Sequence, residues 1–418
     1  MSDKPKRFHL FQVYGIELEY MIVDRDSLEV KPIADQLIKG ELGEIGDEVV
    51  RGEVTWSNEL VMHVIELKCS EPTADLFKLQ QAFEENIKYI NGQLEQFNAK
   101  LLPTAAHPWM NPENEAKLWP YGQKEVYETY DRIFGCKGHG WSNLQSVHIN
   151  LPFYDDEEFA KLNAACRLVM PLIPALSASS PMFDLKTTDY LDTRMVFYEN
   201  NQKRIPSIVG KIVPERAFSR HSFNKMVIEK IKAEIEPLDT LKVLDPVWVN
   251  SRGAMARFDR GTIEIRIIDI QESPAMDIAI ASLIINLIKL VVSEQHISLH
   301  DQMNWETKAL YDILKSTIKD GQNAIITNRD YLKSFGLADW PQLTARQFWI
   351  YLFDQINDWK PGTLDPWEVE IKTILKHGTL STRILDSLKG DFSKSTVKKL
   401  YSDLAIHLES NKPFIPWS

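Results

Sequence analysis

The chain has 418 residues, 44% of them apolar and 26% charged, and a net charge of −11. That is enough apolar material for a large buried core, and it lacks the basic footprint with which proteins hold nucleic acid or anionic membranes. Cys69, Cys136 and Cys166 are too few and too scattered for a disulfide framework or a thiolate zinc site. The opening MSDKPKRFHLF has no apolar leader core, so a reducing cytoplasm is the expected compartment.

Residues 8–23 read as a strand centred on GIELEY. In a strand Ile16, Leu18, Tyr20 and Ile22 share one face, while Glu17 and Glu19 share the other. Two such carboxylates, about 6.5–7 Å apart at the backbone, repel by about 2.5 kcal/mol at an effective dielectric near 20. Residues 60–68, LVMHVIELK, form a second strand, apolar on both faces except at Glu66, with Glu59 at its start. A helix follows SEPTADL, with Leu76, Leu79, Phe83, Ile87, Ile90, Leu94 and Phe97 as one apolar stripe running to about Lys100.

Residues 143–151 give a third strand, with Val147, Ile149 and Leu151 opposite Ser146, His148 and Asn150. Helices are expected over 156–170 and 222–235. In TIEIRIIDI (262–270), Ile263, Ile265 and Ile267 oppose Glu264 and Arg266. The apolar run from Met276 to Val292 is interrupted by Asp277, Asn286 and Lys289, which predicts a buried core helix over 275–294 and no membrane span. Past residue 298 the pattern turns to short amphipathic helices. This divides the chain into a main domain, 1–298, and a helical C-terminal region, 299–418, that covers the active site or forms a subunit contact. Strands and helices that do not alternate strictly predict an α+β fold with an antiparallel sheet.

If these strands are neighbours, Glu17, Glu19, Glu66, His148 and Glu264 converge on one polar face with Arg266 nearby. Such a gathering needs cations, and oxygen donors with one imidazole suit Mg2+ or Mn2+. These ions commonly serve nucleotide phosphates. The chain has no GxxxxGK[ST] loop, and GCKGHG (135–140) is not GxGxxG. ATP, if bound, is bound through metals and arginines on a sheet.

Five stretches, in order, resemble glutamate–cysteine ligase family 2, the carboxylate–amine ligases of the glutamine synthetase-like superfamily. They are GIELEY, NELVMHVIELKCSEP, SVHINLP, PALSASSP and GTIEIRIID. The resemblance implies a curved antiparallel sheet with helices on its convex face and the active site on its concave face. It implies Glu17, Glu19, Glu59, Glu66, His148 and Glu264 as metal ligands, with Arg266 on the transferred phosphoryl group. TTDYLDTRMVFY resembles the segment that supplies a substrate-binding arginine, which makes Arg194 the implied carboxylate clamp, a role for which the planar guanidinium is suited. Departures lie where selectivity is set. NLQSVHIN keeps only one of the family's two histidines, and TTDYLDTR lacks the usual glycine and serine. The role of HPWMNPENE (107–115) is left open.

The implied chemistry is ATP- and Mg2+-dependent. A carboxylate, that of the glutamate side chain or a similar acid, becomes an acyl phosphate and is joined to an amine such as cysteine. Partners are then small molecules, with a homo-oligomer as a family-level expectation. A guanidino-type phosphotransferase and a non-catalytic metal- or nucleotide-binding module are the alternatives.

Overall fold

In the computed structural model, which describes residues 6–417, eight antiparallel strands form one sheet. They are β1 (Gly15–Asp24), β2 (Glu48–Arg51), β3 (Val54–Asn58), β4 (Val64–Cys69), β5 (Ala99–Leu102), β6 (Ser146–Pro152), β7 (Ala254–Arg257) and β8 (Thr262–Asp269). The order across the sheet is β2-β3-β4-β1-β6-β8-β7. β1 is central: β4 pairs along one edge, and β6 and then β5 pair along the other.

The expected two-faced design is present. Ile16, Leu18, Tyr20, Val147, Ile149, Ile263 and Ile265 are fully or almost fully buried and share a core with the helices Leu76–Leu94, Asp156–Val169 and Pro274–Val292. Two polar contacts fix this layer. Trp56 Nε1 donates to Asn86 Oδ1 at 2.9 Å, and the Tyr20 hydroxyl donates to Asp277 Oδ2 at 3.4 Å. The Pro274–Val292 helix is long and apolar enough to cross a membrane, but most of it lies inside the protein.

Several boundaries differ from expectation. Regular pairing of β1 starts at Gly15, because the preceding residues turn, with the Gln12 N–H donating to the His9 carbonyl. The helix from Leu76 does not reach Lys100. It ends at Leu94, continues as one 3-10 turn, and stops at Asn98, whose φ of 50° is left-handed; Lys100 lies in β5. The helix over 220–235 is present with a π-helical stretch at Asn224–Ile228. The β2–β3 hairpin, β5 and β7 were not foreseen.

Residues after 298 are largely helical, with one short strand pair at Ile325–Ile326 and Leu343–Thr344. Leu310, Leu314, Trp349 and Ile371 belong to the same core as the sheet. Farther on, Arg383 and Glu272 form a fully buried ion pair, and Arg383 also donates to the Phe414 carbonyl at 2.7 Å. Among the described residues after 298, none lines either cavity described below.

Candidate active site

The polar face is built by register. Glu17 of β1 lies opposite His148 of β6 on one side and Lys68 of β4 on the other; Glu19 lies opposite Glu66, which in turn lies opposite Ser57 of β3. Glu264 of β8 lies opposite Asn150. Directly opposed residues share a face, so alternation on four strands is enough to collect the acids. Glu59 joins them from the loop that leaves β3.

Two overlapping groups of donors result. Ligand atoms of Glu17, Glu66 and His148 lie within 4.8 Å of one another, as do those of Glu19, Glu59 and Glu66. Glu66 belongs to both. Glu264 stands beside them, with Oε1 3.9 Å from His148 Nδ1 and 3.0 Å from Arg266 Nε.

His148 is held between Glu17 and Ser146. Its Nδ1 lies 2.8 Å from Glu17 Oε2, and its Nε2 lies 2.9 Å from Ser146 Oγ, which in turn lies 3.0 Å from Glu19 Oε2. Burial lowers the pKa of His148, but Glu17 and Glu19 outweigh it and leave the pKa raised. Burial would raise Glu17, yet the hydrogen bond and charge of His148 hold it at about 2. Glu59, pushed up by burial and by Glu19, reaches about 7. Burial, Glu17 and Glu59 push Glu66 well above the carboxylate range.

So dense a set of acids retains protons when it stands alone, and a divalent cation would displace them. The oxygen-rich donor set suits Mg2+ or Mn2+. Glu59 favours its protonated form in the fold, so its contribution to stability fades as pH rises from its usual 4.5 through about 7. A bound cation offsets that loss. Mg2+ is expected to raise the melting temperature more at pH 8 than at pH 6, as scanning calorimetry with and without the ion will show; an equal rise at both pH values would contradict this.

A one-residue bulge aims Arg266. Ile265 pairs with Ile149 and Ile268 with Val147, so three steps on β8 match two on β6. Bulges redirect side chains in this way. The Arg266 N–H donates to the Gly253 carbonyl at 2.9 Å. A Cβ at Gly253 would come within 2.6 Å of Ile267 and Met170, so only glycine fits there.

The bulge also brings Asp269 opposite Ser146. Asp269 accepts from the Ser179 N–H and the Ser180 hydroxyl, each at 2.8 Å, which gives PALSASSP a structural task. Arg194 is placed differently from a free clamp. It reaches a cavity wall, but its Nε donates to Asp269, and its terminal nitrogens lie 3.4 and 3.3 Å from the Arg266 carbonyl. His107 lies away from the cluster, buried, with Nε2 2.8 Å from the Leu28 carbonyl.

Two cavities flank the acids. One, of about 290 Å³, is lined by Glu19, Glu59, His148, Arg266 and a set of aromatic side chains. The other, of about 210 Å³, is lined by Glu17, Lys6, Lys68, Arg260 and apolar residues including Tyr14 and Pro72. Glu17 and Glu19, two residues apart on β1, thus face different cavities. Asn150, which donates to Glu17 Oε1 at 2.8 Å, and Ser57, which donates to Glu66 Oε2 at 2.6 Å, complete the cluster. Alternation had placed Asn150 on this face, but its carboxylate contact was not foreseen.

Comparison with known proteins agrees with this architecture. An uncharacterized protein of Archaeoglobus fulgidus is 33% identical over 76% of this chain and 87% of its own length. A Rubrobacter xylanophilus protein named "Putative glutamate--cysteine ligase 2-3" is 23% identical over 64% of this chain and 67% of its own. Among solved structures, glutamate–cysteine ligase of Francisella tularensis in complex with AMP superposes with a TM-score of 0.68 at 14% identity, covering 98% of this chain and 90% of that one. A bifunctional glutathione synthetase of Pasteurella multocida gives 0.51 at 13% identity, covering 95% of this chain and 52% of that one. The model of glutamate-cysteine ligase family 2 matches residues 13–348, and with its ordered acids on one antiparallel sheet the chain belongs to that family.

Proposed function

We propose that the protein is an ATP-dependent carboxylate–amine ligase that activates the side-chain carboxylate of glutamate, or of a similar acid, and joins it to an amine. The observation that carries this reading is the meeting of two cavities at one cluster of acids. Transfer of a phosphoryl group between two anions needs that layout: one chamber for each reactant and concentrated positive charge where they meet. Family membership supports the reaction class, and the Francisella protein of the same fold is described in complex with AMP.

In this reading the chamber with Lys6, Lys68 and Arg260 takes the nucleotide, its cations near the phosphates and its apolar floor under the base. Glu17, Glu66 and His148, and Glu19, Glu59 and Glu66, would hold divalent cations, which would supply charge neutralisation between triphosphate and carboxylate. The substrate carboxylate oxygen attacks the γ-phosphorus, ADP leaves, and an acyl phosphate forms. Arg266 faces the transferring group, where a guanidinium fork matches phosphoryl oxygens. Arg194 and Asp269 hold the backbone of Arg266 in place. The amine then attacks the acyl carbon, and phosphate departs.

The test is ADP release with Mg2+, ATP, glutamate and a panel of amines including cysteine, with product mass determined alongside. Carboxylate-dependent turnover and an amide product are expected. Phosphorylation of a guanidino nitrogen without amide formation, or nucleotide binding without turnover in any mixture, would overturn the reading.

A further inference from the structure

The 290 Å³ cavity has a mixed lining. Glu19, Glu59, His148 and Arg266 contribute charge, and Tyr127, Tyr130, Trp141, Tyr198 and Trp248 contribute an aromatic wall. Tyr130 meets Trp141 and Trp248 edge-on, with ring centroids 4.9 and 5.3 Å apart.

Among the lining residues only Arg194, Arg266 and His148 can carry positive charge, and each already faces an acid. Arg194 meets Asp269, Arg266 meets Glu264, and His148 meets Glu17. A carboxylate packed against the aromatic wall would be desolvated with every lining cation already paired, which is costly. An ammonium or amine would fare better, because aromatic faces attract cations.

Behind the same wall lies a buried amide. Gln202 is 2% exposed, and its Nε2 donates to Ser251 Oγ at 2.9 Å and to the Tyr130 hydroxyl at 3.2 Å. Ser251 gives its own proton to the Val249 carbonyl at 3.0 Å, so it must accept from Gln202. This fixes the amide orientation and leaves Oε1 buried, with no partner among the described residues.

We propose, on the ligase reading above, that the aromatic wall of this cavity forms the acceptor subsite, and that it takes a primary amine with an aromatic or apolar body and no carboxylate. This departs from the cysteine that the family's name implies. The amine nitrogen forms a C–N bond to the acyl carbon, and the C–O bond to phosphate breaks. Phosphate leaves with that electron pair and takes up the proton lost by the amine, giving an amide and hydrogen phosphate.

Matched pairs test this directly: phenylalanine against phenethylamine, tyrosine against tyramine, and cysteine against cysteamine, each with Mg2+, ATP and a donor acid. The decarboxylated member of each pair is expected to show at least about tenfold higher kcat/KM, equivalent to one unit of 1.4 kcal/mol. Equal or better use of the amino acids would overturn the proposal. ADP release with a donor acid but no joining of any amine would overturn the acceptor assignment and leave activation standing. No ADP release with any donor would count against the ligase reading itself. Quenching of tryptophan fluorescence by phenethylamine and phenylalanine in the Mg2+- and ADP-loaded protein then decides the subsite independently. Tighter binding of phenethylamine upholds it; equal binding, or none, overturns it. Trp248 is 41% exposed, so Trp248→Leu is expected to fold. It should weaken phenethylamine binding about fivefold while leaving the Mg2+-dependent rise in melting temperature in place. Unchanged binding would also count against the proposal.

Discussion

Replacing Arg266 with methionine is expected to lower carboxylate-dependent ADP release about a thousandfold, the range for removing a charged group that stabilises a transferring phosphoryl. The loss should fall on kcat, because the guanidinium acts where charge builds up during transfer. Folding should survive the change. Glu264 keeps Arg257 NH1 at 3.8 Å from its Oε2, and methionine retains much of the side-chain volume. Arg266→Lys is expected to recover only part of the rate, since an ammonium cannot reproduce the bidentate fork. Steady-state kinetics with melting curves for each variant provide the check. Near-parental kcat in Arg266→Met would remove this residue from the phosphoryl site.

Glu66→Gln should have an effect of opposite sign on folding and on metal binding. Glu66 is shared by both groups of ligand atoms, and burial with Glu17 and Glu59 pushes its pKa well up. A neutral amide of the same shape relieves that repulsion, so the variant without metal should melt no lower than the parent at pH 8, where the parent's acids are most strained. The same change should abolish the Mg2+-dependent rise in melting temperature and with it nearly all turnover. Calorimetry with and without Mg2+ separates the two effects. A full Mg2+ response in Glu66→Gln would show that the ion sits elsewhere.

Much of the site was legible because alternation along a strand is a strict geometric rule. Glu17 with Glu19, His148 with Ser146 and Asn150, and Glu264 are placed by counting, and the antiparallel register then joins them. Family motifs added Glu59, which comes from a loop and obeys no period. What stayed hidden depends on contacts between distant segments. The bulge in β8 changes the phase of the strand, and that brings Asp269 opposite Ser146. From that follows the pairing of Arg194 with Asp269, which no spacing in the sequence announces. The aromatic wall is assembled from residues between Tyr127 and Trp248 that belong to separate short helices. The β2–β3 hairpin escaped notice because its strands have four and five residues, and its turn at Gly52, with φ +65°, is too brief to mark both. The helix boundary near Asn98 was missed because the apolar spacing continues through Phe97 while the backbone changes handedness one residue later.

Anomalous diffraction from crystals grown with Mn2+ and a non-hydrolysable ATP analogue tests the central claim most directly. Manganese density bonded to Glu66 and to further acids of β1, with the analogue's terminal phosphate against it and Arg266, is the expected result. Manganese bound only at other sites, or a nucleotide seated away from these carboxylates, would contradict it.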